Sequence, residues 1–238
     1  MIYLSEDLME EQRVSKDFVF RAEKGGRLSF VGDFEGFYNS VDDPWGQKGT
    51  DSRLNEYYNF SRSNLINTID LLVKSEEKST DILEVGCGLG YVLSKLGARL
   101  PANVKVAGMD ISPTAIEKAK NLFPLLDFIT GDICSEHLKV ENKYDIVIMS
   151  QILWYILEKL PQVFTNIDSL LKNHGLLVFV NAFLKEQKYG KEIIDGFDGL
   201  LRYVCLNYFG KYKIIKAEAD YSGRFLHDDG ILVLMKRE

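Results

Sequence analysis

The residues best placed to do chemistry lie in one short run, EVGCGLG, which holds Glu84, Gly86, Gly88 and Gly90. Glycines let the backbone turn tightly and let a ligand approach it with no Cβ in the way. Asp110 stands twenty residues beyond Gly90, at the end of the next apolar run, VKVAGMD. A carboxylate in that place can accept hydrogen bonds from both hydroxyls of a ribose. The pattern points to an adenosine-containing ligand lying across two strand ends.

Two cofactors fit that outline. A nicotinamide dinucleotide prefers GxGxxG and sets its pyrophosphate on the helix N-terminus. Here the spacing is GxGxG, with Tyr91 next. A pyrophosphate beside Glu84 would bring like charges ~5 Å apart and cost roughly 3 kcal/mol at an effective dielectric of 20. S-adenosylmethionine carries no phosphate, and its ammonium and sulfonium are cations that an acid attracts. Electrostatics favours the sulfonium cofactor over the nicotinamide one.

These residues need a scaffold. DILEVG (81–86), VKVAGMD (104–110), 126–130, YDIVIMS (144–150) and LLVFVNAF (176–183) read as strands, with helical spacing over 89–100, from Ser112-Pro113 onward, and through Leu171. Asn173-His174-Gly175 reads as a helix stop, and 187–209 as a helix interrupted by glycines. YKIIKAEAD and GILVLMKRE close the chain as two strands with no helix between them, which predicts an antiparallel finish. Alternating strands and helices predict a doubly wound, seven-stranded, mostly parallel α/β sheet, Rossmann-like, covered on both faces. Residues 1–75 are expected to form an N-terminal helical cap plus a first long helix (51–74, N-capped by Asp51), and 76–238 the cofactor-binding core. Arg62 falls on the apolar face of that helix, where it either clamps a carboxylate or snorkels to the surface.

Composition narrows the partners. The chain has 238 residues, 46% hydrophobic and 27% charged, with net charge −6. An acidic chain without a Lys/Arg block lacks the surface that nucleic acid binding needs, so no nucleic acid is expected. No apolar run approaches the ~18 residues of a membrane span, and the first residues are acidic where a secretory leader is basic. Three cysteines without CxxC and three scattered histidines predict a reduced, cytoplasmic protein with no bound metal.

The ordered segments ILEVGCGLGYV, GMDISPTAIEKAK, FITGDI and YDIVIMSQILWYI together resemble class I S-adenosylmethionine-dependent methyltransferases, over about residues 80–182. The resemblance implies that Glu84, Gly86, Gly88 and Gly90 line the methionine moiety and that Asp110 holds the ribose. By the same likeness Ile111 and Ile133 lie beside the adenine, Asp132 accepts from its amino group, and Gln151 faces the methionine end. Acceptor choice in this family lies in the cap and in the segments after strands four and five. Those are aromatic here, and Trp45, Tyr58, Trp154 and Tyr155 are the candidate acceptor-binding residues, the alternative being that they are core. DDPWG, the Tyr-Tyr helix and QILWYIL are also loosely similar to nodulation-type and surface-polysaccharide methyltransferases, which implies a saccharide or activated-sugar acceptor, methylated on O or N. A protein or peptide acceptor and a non-catalytic cofactor-binding domain are the other readings. No general base is identifiable: His227 is expected in the loop between the last two strands, away from the methyl group, and His137 and His174 at other edges. Oligomeric state is open.

Overall fold

The computed structural model describes residues 18–24, 28–48, 52–74, 79–139, 141–184, 187–223, 225 and 227–238. The acidic N-terminal stretch and the expected Asp51 cap lie outside them. Seven strands form one sheet: β3 (Thr80–Val85), β4 (Val104–Asp110), β5 (Asp127–Thr130), β6 (Tyr144–Ser150), β7 (Leu171–Leu184), β8 (Tyr212–Asp220) and β9 (His227–Lys236). Their order is β5-β4-β3-β6-β7-β9-β8. The first five run parallel, and β9 is antiparallel to both its neighbours, wedged between β7 and β8. The doubly wound sheet and its antiparallel finish are as expected.

The central strands are apolar on both faces because helices cover both. On one side α2 (Ser52–Lys74) lays Leu65, Ile69 and Val73 against Ile82, Ile146, Ile148 and Val178. On the other, α6 (Leu160–Leu170) and α7 (Gly196–Tyr208) pack Phe164, Ile167 and Leu200 against Val147, Leu177 and Phe179. Two shorter helices, α3 (Tyr91–Arg99) and α4 (Pro113–Leu122), follow β3 and β4. Ser112 caps α4, accepting from the Ala115 amide at 3.0 Å with Pro113 in the first turn, as the Ser-Pro pair predicts.

Several boundaries differ from the sequence reading. The N-terminal cap, expected to be helical, contains a small hairpin, β1 (Phe20–Ala22) with β2 (Leu28–Phe30), besides a short helix α1 (Phe34–Ser40). The helix after β6 breaks into α5 (Leu153–Ile156), a 3-10 turn and α6, and ends at Leu170. Asn173-His174-Gly175 is therefore no helix stop; it sits inside β7, where the pairing with β6 jumps from Leu171 to Leu176 and His174 takes φ 61°. The helix expected over 187–209 begins only at Gly196, after Gly190 and Gly196 at positive φ.

The cap is held to the core by polar contacts. Glu35, on α1, accepts from the Ser112 and Thr114 hydroxyls at 2.5 and 2.6 Å. Lys118 donates to the carbonyls of Tyr38 and Val41 at 2.7 and 3.0 Å.

The glycine turn depends on close packing beneath it. A Cβ on Gly108 would meet Leu93 Cδ1 at 2.6 Å and Cys87 Sγ at 2.7 Å, directly under the turn. Gly108→Ala should cost about 1–3 kcal/mol through overpacking, read as a lower urea midpoint with an unchanged slope.

Candidate active site

The turn after β3 is built from glycines in the left-handed region: Gly86, Gly88 and Gly90 at φ 71°, 52° and 81°. The amides of Gly86 and Cys87 both donate to the Met109 carbonyl, at 2.7 and 3.1 Å, which pins the turn to β4. Asp110 completes it. One of its oxygens accepts from the Gly88 amide at 2.8 Å and the other from the Ser112 amide at 3.0 Å. Each oxygen keeps a further lone pair for a ligand hydroxyl. Burial raises the Asp110 pKa, and these amide hydrogen bonds act against that rise.

Above the turn opens a cavity of about 700 Å³. Its wall brings together Glu84, Gly86, Gly88, Asp110, Ile111, Asp132, Ile133, Gln151 and Arg62, and also Trp45, Tyr58, Trp154 and Tyr155. Gly90 is the exception. It caps α3 behind the wall, and a Cβ there would meet the Phe128 ring at 2.7 Å, so its glycine serves packing and the left-handed turn.

Four residues of this cavity wall carry a buried polar atom with no partner among the described residues: Asp43 Oδ1, Arg62 Nη2, Glu84 Oε2 and His227 Nε2. Glu84 is 2% exposed with Oε2 unpaired, and Arg62 is 8% exposed with Nη2 unpaired. Of the two readings of Arg62, snorkelling is therefore wrong. Its guanidinium lies inside, over the Tyr58 ring at 4.6 Å and the Tyr91 ring at 5.8 Å. Desolvation pushes the Glu84 carboxyl up to about 8, against the pull of Arg62. In the empty site Glu84 is thus largely protonated near neutrality, and its repulsion of a pyrophosphate is weaker than the sequence argument assumed. What discriminates between ligands is the unpaired carboxyl and unpaired guanidinium in one cavity. Together they match a zwitterion bearing an ammonium and a carboxylate.

Gln151 has an unusual backbone, φ 61° for a residue with a Cβ. Its amide donates to the Val180 carbonyl at 2.7 Å, its side-chain oxygen accepts from the Ala182 amide at 2.9 Å, and its Nε2 donates to Ser61 at 3.1 Å. These bonds hold the left-handed turn at the end of β6. Asp132 accepts from the Cys134 amide at 2.8 Å.

The cap supplies an aromatic roof. Phe30, Phe34 and Trp45 surround Tyr155, with ring centroids 6.3, 5.2 and 5.8 Å away. Trp45 donates to the Tyr38 hydroxyl at 3.0 Å, and the Tyr58 hydroxyl donates to the Trp45 carbonyl at 2.6 Å. Trp154 donates to the Ala182 carbonyl at 2.9 Å and packs edge-on against Phe183.

Sequence reasoning missed three features. His227, expected in a loop, is the first residue of β9, 5% exposed, and lines the cavity. An antiparallel last strand starts where the parallel strands end, and that topology was the available signal. Glu35 and the hairpin aromatics Phe20 and Phe30 carried no motif. Among the described residues no group of three or more His, Cys, Asp or Glu is placed to hold a metal ion, and no helix is long and apolar enough to cross a membrane.

Residues 82–175 match the family described as a methyltransferase domain. Malonyl-[acyl-carrier protein] O-methyltransferase 1 of Ilyobacter polytropus is 30% identical over 152 residues, covering 62% of this chain and 55% of that protein. The chain spans about half the length of the curated relatives it matches. The fold is shared with N-methyltransferase NodS from Bradyrhizobium japonicum (TM-score 0.58, 16% identity, 76% of this chain and 97% of that one). It is shared too with magnesium protoporphyrin IX methyltransferase from Synechocystis, solved with bound SAM (TM-score 0.61, 18% identity, 85% and 94%). The class I S-adenosylmethionine-dependent methyltransferase resemblance read from the four segments is borne out.

Glu84 gives a pH signature. Its folded pKa of about 8 lies above the ordinary carboxyl value of 4.5, so the unfolded chain loses its proton first. The resulting penalty on the folded state begins near pH 4.5, grows with pH and is complete above about 8. Glu84→Gln should therefore raise the melting temperature of the empty protein more at pH 8.5 than at pH 5; an equal shift at both would show that Glu84 ionises normally.

Proposed function

We propose that this chain, whose residues 82–175 match the methyltransferase-domain family, transfers a methyl group from S-adenosylmethionine to O or N of a small molecule. The observation that carries this reading is the unpaired carboxyl of Glu84 and unpaired guanidinium of Arg62 buried in one cavity over the glycine turn. In this reading Glu84 takes the donor's ammonium and Arg62 its carboxylate. Gly86 and Gly88 let the backbone close on the methionine part, and Asp110 accepts from the ribose hydroxyls. Ile111 and Ile133 flank the adenine, Asp132 accepts from its amino group, and Gln151 borders the methionine end. The bound donor supplies an electrophilic methyl on a sulfonium. The protein's part is to align the acceptor with it and to keep water out beneath the aromatic roof.

Trp45, Tyr58, Trp154 and Tyr155 are proposed to line the acceptor space. A concave cavity walled by aromatic rings supports a small acceptor over an extended peptide. Aromatic walls suit a saccharide as they suit other flat or apolar acceptors. No feature of the cavity wall favours a saccharide over these. An acceptor attached to a carrier is the second reading, favoured by the several relatives named malonyl-[acyl-carrier protein] O-methyltransferase.

Calorimetric titration with S-adenosylhomocysteine should show binding, and NAD should show none; the reverse would overturn the donor assignment. Asp110→Ala should weaken S-adenosylhomocysteine by about 1–3 kcal/mol through lost charge-assisted hydrogen bonds, and unchanged affinity would remove Asp110 from the ribose site. Incubation with labelled S-adenosylmethionine and size-fractionated extract should place label in small molecules. In that assay Trp154→Ala should cut turnover more than it cuts S-adenosylhomocysteine affinity. Label confined to a macromolecular fraction would favour the carrier-linked reading.

A further inference from the structure

One polar atom of the cavity wall has no role in donor binding. His227 is 5% exposed, lines the cavity, and its Nε2 is buried with no hydrogen-bond partner among the described residues. The ring is fixed from two sides: Phe225 stacks on it at 5.5 Å and Tyr57 meets it edge-on at 4.5 Å. It stands opposite Leu184 across the β7–β9 pairing, beside the cavity wall formed by Ala182, Leu184, Tyr57 and Ser61. An unpaired buried nitrogen on an immobilised ring marks a place where a ligand atom completes the hydrogen bond.

The charge around it narrows the ligand. Burial lowers the His227 pKa to about 4, so the imidazole is neutral at physiological pH. The titratable groups packed near it are Tyr57 on α2, whose hydroxyl donates to Asp229 at 3.2 Å, and Asp228 and Asp229 on β9. None is a cation. Of the cations of the cavity wall, Arg62 is held over Tyr58 and Tyr91. A carboxylate brought to His227 would be a buried anion beside further carboxyl groups. An uncharged hydroxyl would meet no such penalty.

Resting on the methyl-transfer reading, we propose that His227 is the acceptor-binding group of this cavity, its Nε2 taking the hydrogen bond from an uncharged hydroxyl on a flat or apolar acceptor, and that carboxylate acceptors are excluded there. The Nδ1-protonated tautomer presents Nε2 as the acceptor. In the transfer, the acceptor oxygen's lone pair forms the O–C bond as the methyl's bond to sulfur breaks, leaving its electron pair on sulfur. The hydroxyl proton passes to Nε2 and then to solvent, so the single positive charge moves from sulfonium to imidazolium and is conserved.

The test is binding of phenol and of benzoate to the full chain loaded with S-adenosylhomocysteine, by calorimetry and by the ¹⁵N resonance of the His227 ring. Phenol should bind at least tenfold more tightly than benzoate and shift Nε2. His227→Phe should abolish that preference without weakening S-adenosylhomocysteine, and His227→Gln should keep part of it. Equal affinities, no phenol binding, or a preference that survives His227→Phe would overturn the proposal. Should the variants fail to fold, an Nε2 resonance unmoved by phenol in the unaltered protein overturns it equally. Failure of the unaltered protein to bind S-adenosylhomocysteine would instead overturn the methyl-transfer reading on which it rests.

Discussion

A single carboxylate organises the donor side of this molecule. Asp110 holds the Gly88 amide with one oxygen and the Ser112 amide with the other, so the glycine turn, the end of β4 and the start of α4 share one anchor. Ser112 in turn caps α4 and donates to Glu35, which fastens the cap. A buried acid is costly unless hydrogen-bonded, and here both oxygens are. The same group that closes the turn also lines the cavity. Fold and cavity are therefore coupled through one side chain.

The acceptor side is assembled by different physics. Its roof comes from non-local aromatic contacts between the hairpin, α1, α5 and the segment before α7, such as Phe20 and Phe30 against Tyr189. Such contacts are nondirectional and tolerate substitution, whereas the Asp110 arrangement is directional and does not. That contrast explains why a donor site can stay fixed while an acceptor site drifts.

The sheet and the gathering of the candidate donor-site residues around one cavity were legible because they rest on local signals. Glycine spacing, strand alternation and the Ser112-Pro113 cap each act over a few residues, and Glu84, Asp110, Asp132 and Gln151 sit at strand ends that those signals locate. Gly90 was misassigned because its left-handed turn looks the same in sequence whether it faces a ligand or, as here, the Phe128 ring. The Asn173-His174-Gly175 stop failed because β7 absorbs a left-handed residue as a bulge. The Arg62 ambiguity was resolved by burial, which depends on Tyr58 and Tyr91 closing over it. Glu35 and the hairpin aromatics act only across long sequence separations, and nothing nearby announces them.

The insertion of β9 between β7 and β8 has an evolutionary consequence. Because it runs against the parallel strands, its first residues arrive at the same rim as the glycine turn, and Phe225, leading into it, packs on Tyr57, Phe60 and His227. Changes in that terminal hairpin therefore reach the cavity at His227 and not at the glycine turn. Variation there would reshape one wall while the turn after β3 keeps its anchor on β4.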